Sequence, residues 1–175
     1  ALHKTNGVFS SCDDIPDFAI TSMDGLYLHS DGEVSQLLYA TLIESVDWSP
    51  DGTKIAFSVI NDSMNQSDIY YLELSTGAVV KVNNQSGSFN IDPRWSADGE
   101  DIAFTRHYGR STETWLNPEL WLANLDELES QRVIASDITS YDWSIENSLY
   151  FTAHGDIYIM EYDGENLTTS MFSDG

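Results

Sequence analysis

Arg106, His107, Arg110 and Trp115 form the densest group of basic and aromatic side chains in a chain with 7 Lys and Arg against 29 Asp and Glu. A Trp ring beside a guanidinium can stack on a sugar or anchor a protein partner, so these four are the candidate ligand- or partner-binding residues. The structural alternative is that Trp115 packs over a sheet edge and that Arg106 and Arg110 pair with nearby acids. The sequence has no Gly-x-Ser-x-Gly nucleophile elbow, HExxH, phosphate-cradling Gly-rich loop or paired Cys motif. The expectation is therefore a non-catalytic chain with no catalytic residue.

Metal chemistry is weakly encoded. His3, His29, His107 and His154 show no i, i+4 pairing. Calcium is the better-suited ion, because a hard cation takes the oxygen ligands this chain offers in quantity. The richest stretches are Asn61-Asp62-Ser63-Met64-Asn65-Gln66-Ser67-Asp68 and the turn Cys12-Asp13-Asp14. Neither has the Asp-x-Asp-x-Asp-Gly loop with its distal Glu, and the first reads better as a polar connection between strands. No cofactor is expected. Asn-x-Ser/Thr sequons at Asn61, Asn65, Asn84 and Asn166 are glycosylation acceptors only in a source that glycosylates exported proteins.

A net charge of −22 repels phosphate backbones and anionic lipid, so neither nucleic acid nor membrane insertion is expected. The same charge keeps an aromatic-rich β protein soluble. The lone Cys12 excludes an internal disulfide framework, and no apolar run approaches the ~20 residues of a membrane span. Ala1-Leu2-His3-Lys4 opens no apolar leader segment, so the expectation is that any export signal is absent or already removed.

The elements that must position these groups follow from a repeat. Trp48, Trp95 and Trp143 recur every 47 to 48 residues. They sit in Asp47-Trp48-Ser49-Pro50-Asp51-Gly52-Thr53-Lys54-Ile55-Ala56-Phe57, in Arg94-Trp95-Ser96-Ala97-Asp98-Gly99-Glu100-Asp101-Ile102-Ala103-Phe104, and in the worn copy Asp142-Trp143-Ser144-Ile145-Glu146-Asn147-Ser148-Leu149-Tyr150-Phe151. Each repeat breaks into short alternating segments separated by turn residues, the signature of four antiparallel strands in one propeller blade. Phe9, nine residues before Phe18, with Gly25-Leu26-Tyr27-Leu28 downstream, marks a decayed first unit.

The expected fold is all-β: one β-propeller domain over residues 1–175, built from about four four-stranded blades, a small or incomplete propeller. The units run over about 5–40, 41–86, 87–136 and 137–175. Period 2 places Phe18, Phe57, Phe104 and Phe151 between successive blades. It places Trp48, Trp95 and Trp143, with Phe9 in the weakest unit, in the neighbouring inter-blade layer. The long connections after the second strands, Asn61 to Ser67 and Tyr108 to Pro118, emerge on one face and are the expected recognition loops.

The hydrophobic-Asp-Trp-Ser-Pro-Asp-Gly-x-x-Ile-Ala-Phe run of Val46 to Phe57 and its near copy at Arg94 to Phe104 resemble the blades of the TolB family. So do the downstream strands Asp68-Ile69-Tyr70-Tyr71, Glu119-Leu120-Trp121-Leu122 and Asp156-Ile157-Tyr158-Ile159. This WD-repeat-like family occurs in periplasmic and secreted bacterial proteins and in the propellers of prolyl-oligopeptidase-type enzymes. The resemblance implies an extracytoplasmic location: secreted, cell-surface or periplasmic. Propellers of this family usually carry about six to eight blades, and this chain supplies about four. Both ends fall near unit boundaries, with no evident strand exchange to latch a ring.

The expected function is a non-catalytic extracytoplasmic module for protein interaction and self-assembly, with copies of itself as partners, up to a surface or extracellular polymer. The alternatives are a propeller fragment of a prolyl-oligopeptidase-type hydrolase and a carbohydrate- or calcium-binding propeller.

Overall fold

The computed structural model describes residues 18–22, 24–40, 42–61, 63, 65–83, 87–108, 118–126, 130–133, 135, 137–162 and 167–171. Phe9, Cys12-Asp13-Asp14, Asp62, Met64, Asn84, Arg110, Trp115 and Asn166 lie outside them, as does the side chain of Phe18.

The described strands group into four antiparallel blades. Blade 1 contains β1 (Phe18–Ser22), β2 (Gly25–Ser30) and β3 (Glu33–Tyr39). Blade 2 contains β4 (Ile43–Trp48), β5 (Lys54–Ile60), β6 (Ser67–Glu73) and β7 (Val79–Lys81). Blade 3 contains β8 (Ser88–Trp95), β9 (Asp101–Tyr108), β10 (Glu119–Asn124) and β11 (Ser130–Val133). Blade 4 contains β12 (Ile138–Trp143), β13 (Leu149–Ala153), β14 (Asp156–Tyr162) and β15 (Leu167–Met171). Among the described residues no helix is long and apolar enough to cross a membrane.

The repeat motif is a turn device before it is anything else. After β4, the Asp51 carboxylate accepts from the Ser49 hydroxyl at 2.7 Å and the Thr53 N–H at 3.0 Å, while Gly52 donates to the Ser49 carbonyl from a φ of 70°. Ser96, Asp98 and Gly99 rebuild the same turn after β8. In the worn copy Asn147 takes the glycine's place at φ 64° and donates to the Ser144 carbonyl. Asn tolerates this left-handed conformation better than most residues, so the turn survives the loss of Asp-Gly.

These hydrogen bonds, led by that from Ser49, pull the Asp51 pKa down from 3.8 to about 2. Because folding depresses this pKa, the stabilisation is complete above 3.8 and is lost as the pH falls from there toward 2. An NMR titration of the Asp51 carboxyl should show the depressed midpoint, whereas titration at the ordinary 3.8 would mean the turn does not hold it.

Blades 2, 3 and 4 each bury one face against the blade before. Ala19 and Leu26 of blade 1 meet Ile43, Val46, Ile55, Phe57 and Leu72 of blade 2. Ala56, Ile69 and Val82 of blade 2 meet Trp95, Ile102, Phe104 and Trp121 of blade 3. Ala103, Leu120 and Leu122 of blade 3 meet Leu149, Phe151 and Met160 of blade 4. The face a blade turns to its predecessor is its leading face, and the opposite one, which in blades 1, 2 and 3 meets the successor, is its trailing face.

Phe57, Phe104 and Phe151 are buried between blades, as expected. The tryptophans correct the expectation of a neighbouring layer. Trp48, Trp95 and Trp143 lie in the same layer as the Phe of their own blade. Trp48 pairs with Ile55 and Val46 with Phe57, and cross-strand partners two residues apart share one face. Trp95 is buried, whereas Trp48 and Trp143 are half-buried.

Candidate functional site

The first strands of blades 2, 3 and 4 lie side by side, β4 against β8 and β8 against β12. Each carries a register shift in its pairing with the second strand, at Ile43/Val46, Ile91/Arg94 and Ile138/Ser140. Such bulges bend a strand and re-aim its side chains. At this junction a cavity of about 330 Å³ opens, with Glu44, Ser45, Asp92, His107, Ser140 and Tyr141 in its wall.

The cavity's polar groups are largely committed to holding blades together. The Ser45 hydroxyl accepts the Asp92 N–H at 3.0 Å, and the Tyr141 hydroxyl donates to the Asp92 carbonyl. Asp92 also pairs with Arg94 at 3.0 Å. Burial holds the Tyr141 phenol well above its ordinary pKa, so it stays a protonated donor. At the rim, partial desolvation raises the Glu44 carboxyl above its usual range.

Of the four sequence-predicted site residues the structure describes two, Arg106 and His107. Arg106 is fully buried on β9. Its guanidinium carbon sits 3.7 Å from the centroid of the Trp121 ring and 5.7 Å from that of Phe104. Its Nε donates to Asn90 Oδ1 at 2.8 Å, and burial is the main force lowering its pKa. This cation fixes blade 3 from within. His107, the next residue, points the opposite way and lines the cavity. Arg110 and Trp115 lie outside the described residues.

The polar connection Asn61 to Asp68 closes on itself. Asn61 Oδ1 accepts the Asn65 N–H at 3.0 Å, and Asn61 Nδ2 donates to Asn65 Oδ1 at 2.7 Å. Asp68 is taken up by Lys81 at 2.9 Å and by the buried Asn83 at 2.9 Å. Among the described residues no group of three or more His, Cys, Asp or Glu is placed to hold a metal ion. Of the sequons, Asn65 is exposed and Asn61 half-buried.

Residues that the motif reading passed over link the blades. Asp47 Oδ2 accepts the Trp95 N–H at 2.8 Å, across 48 residues of chain. With Ser45, it fastens β8 of blade 3 onto the trailing face of blade 2. Between blades 3 and 4 the solution differs, because Asp92 and Arg94 stand where Ser45 and Asp47 would be. There Trp143 Nε1 donates to the Arg94 carbonyl at 3.3 Å, and Asn147 bonds Asp98. Asp47→Ala orphans a part-buried N–H and should cost about 1–3 kcal/mol in chemical denaturation. An unchanged midpoint would remove Asp47 from the account of blade docking.

Antiparallel blades packed face on face, with four strands in blades 2, 3 and 4 and the first strands of those three adjacent, define the chain as a β-propeller protein. No protein-family model matches it. It is 32% identical over 91 residues to the Tol-Pal system protein TolB of Francisella tularensis subsp. mediasiatica, a match covering 52% of this chain and 19% of that protein. It is 43% identical over 63 residues to the TolB of Alcanivorax borkumensis, covering 36% of this chain and 14% of that one. The matches thus span less than a fifth of these relatives' length.

Among solved structures, TolB from Acinetobacter baumannii superposes with a TM-score of 0.60 at 24% identity, covering 88% of this chain and 37% of that chain. A prolyl endopeptidase structure superposes with a TM-score of 0.62 at 17% identity, covering 91% of this chain and 28% of that one. At these identities the superpositions speak for the fold. The sequence matches show that about half of this β-propeller is similar to TolB.

Proposed function

We infer that the chain is a non-catalytic, extracytoplasmic propeller module that works by binding proteins, copies of itself among them. The observation that carries this reading is its sequence similarity to proteins named for the Tol-Pal system. The structure's chemistry is compatible with it. The cavity's tyrosine and serine are spent on inter-blade hydrogen bonds, and the buried arginine braces a blade. The likeness to a prolyl endopeptidase structure supports a common fold, and a fold does not by itself carry an activity.

Chemical cross-linking in the producing cell, with peptide mapping after fractionation, tests the reading. The expected result is recovery outside the cytoplasm, with links to protein partners and between two copies. Recovery in the cytoplasmic fraction alone, or in a polypeptide that also bears a hydrolase nucleophile, would overturn it.

A further inference from the structure

Ser140-Tyr141-Asp142-Trp143 repeats the pattern of Ser45-Val46-Asp47-Trp48, and the repetition extends to its neighbours. Ser45 Oγ lies 2.8 Å from Ser58 Oγ on the adjacent strand, and Ser140 Oγ lies 3.0 Å from Thr152 Oγ1 at the matching position. In blade 2 this arrangement takes two backbone N–H groups from the next blade, one on Ser45 and one on Asp47. In blade 4 both Ser140 and Asp142 are exposed.

The apolar part of the face is repeated as well. Ile69, Leu120 and Ile157 are equivalent residues on the third strands of blades 2, 3 and 4. The first two are completely buried under the following blade, whereas Ile157 is 46% exposed. Tyr150, at the position held by the buried Ala56 and Ala103, is 37% exposed. Strand alternation puts Ser140, Asp142, Tyr150 and Ile157 on one face: Asp142 pairs with Tyr150, and Thr152 with Ile157. Leu149, Phe151 and Met160 point the other way, into blade 3.

We propose that the trailing face of blade 4 is a docking surface for the leading face of blade 1 of a second copy of this chain. This rests on the self-association in the reading above and assigns it a place. The argument is continuity with the interfaces the chain already forms. Its occupied trailing faces receive a blade of this same repeat, and the exposed one carries the hydrogen-bond acceptors of blade 2 and the apolar positions of blades 2 and 3. Blade 1 supplies the matching side: Tyr27 on β2 is half-buried at the position of Tyr70, Trp121 and Tyr158, which face the preceding blade. Such a contact joins unlike faces head to tail, so it builds either a closed ring of copies or an open filament.

The test compares mass in solution for the full chain and for Asp142→Lys, Ile157→Lys and the control Ile145→Lys, which charges a residue 97% exposed in the turn after β12. Circular dichroism checks that each variant keeps its β fold. Asp142→Lys and Ile157→Lys are expected to raise the dissociation constant tenfold or more, with Ile145→Lys unchanged. Association that survives both face variants would overturn the assignment of this face and leave self-association standing. A chain that is monomeric throughout would overturn both.

Discussion

Phe104→Ala is expected to lower the unfolding free energy by about 3–5 kcal/mol, the range for truncating a buried Phe. The ring is fully buried between blades 2 and 3, in one cluster with Ile69, Val82, Trp95, Ile102 and Trp121. Its loss removes apolar contacts from both blades and leaves a hollow that the surrounding strands cannot close, because their hydrogen bonding fixes their spacing. The ring also forms part of the bed on which the Arg106 guanidinium lies. A repeat protein draws its stability from such interfaces, so the damage should spread to blade 2 as well as blade 3. Urea denaturation followed by Trp fluorescence measures the change. A loss below about 1 kcal/mol would mean that the interface is not packed to the density of a protein interior.

Arg106→Ala should cost about as much, for a different reason. The guanidinium is held against the Trp121 ring at 3.7 Å, where desolvation makes a cation–π contact worth about 2 kcal/mol. Its removal also takes a donor from the buried Asn90 Oδ1, an orphaning that adds about 1–3 kcal/mol. Asn90 in turn bonds the Ser67 carbonyl at 2.8 Å, and Ser67 Oγ bonds the Asn90 carbonyl at 2.8 Å. These bonds flank the parallel bridge of Ser67 with Phe89, which joins the sheets of blades 2 and 3. Arg106→Lys should recover little, because an ammonium cannot lie flat on the indole and reach Asn90 together. Full recovery by Lys would show that charge alone matters at this position.

The blades were legible in the sequence because the spacing of Trp48, Trp95 and Trp143 fixes the repeat, and Asp51-Gly52 and Asp98-Gly99 mark its hairpin turns. The site was less so. Arg106 drew attention as a cation in an acidic chain, yet it stands two residues after Phe104 and so shares its buried face. The same alternation sends His107 to the opposite face and into the cavity. Strand parity carries that signal, and the scarcity of cations does not. Asp47 is hidden in the sequence because the recurring residue of its motif is Trp48, while Arg94 stands at its place in the next repeat. The recurrence of Ser-x-Asp-Trp at Ser45 and Ser140 marked the pair, but its purpose needs the neighbouring blade's backbone, which no pattern of side chains displays. The step from Asp47 to Arg94 in the next blade likewise foretells a different fastening without saying which groups supply it.

The absolute mass in solution, by light scattering behind a sizing column over a hundredfold dilution, tests the central claim most directly. A module that works by joining copies of itself should show a species of at least twice 19.6 kDa that persists on dilution. A compact 19.6 kDa particle at every concentration would contradict it.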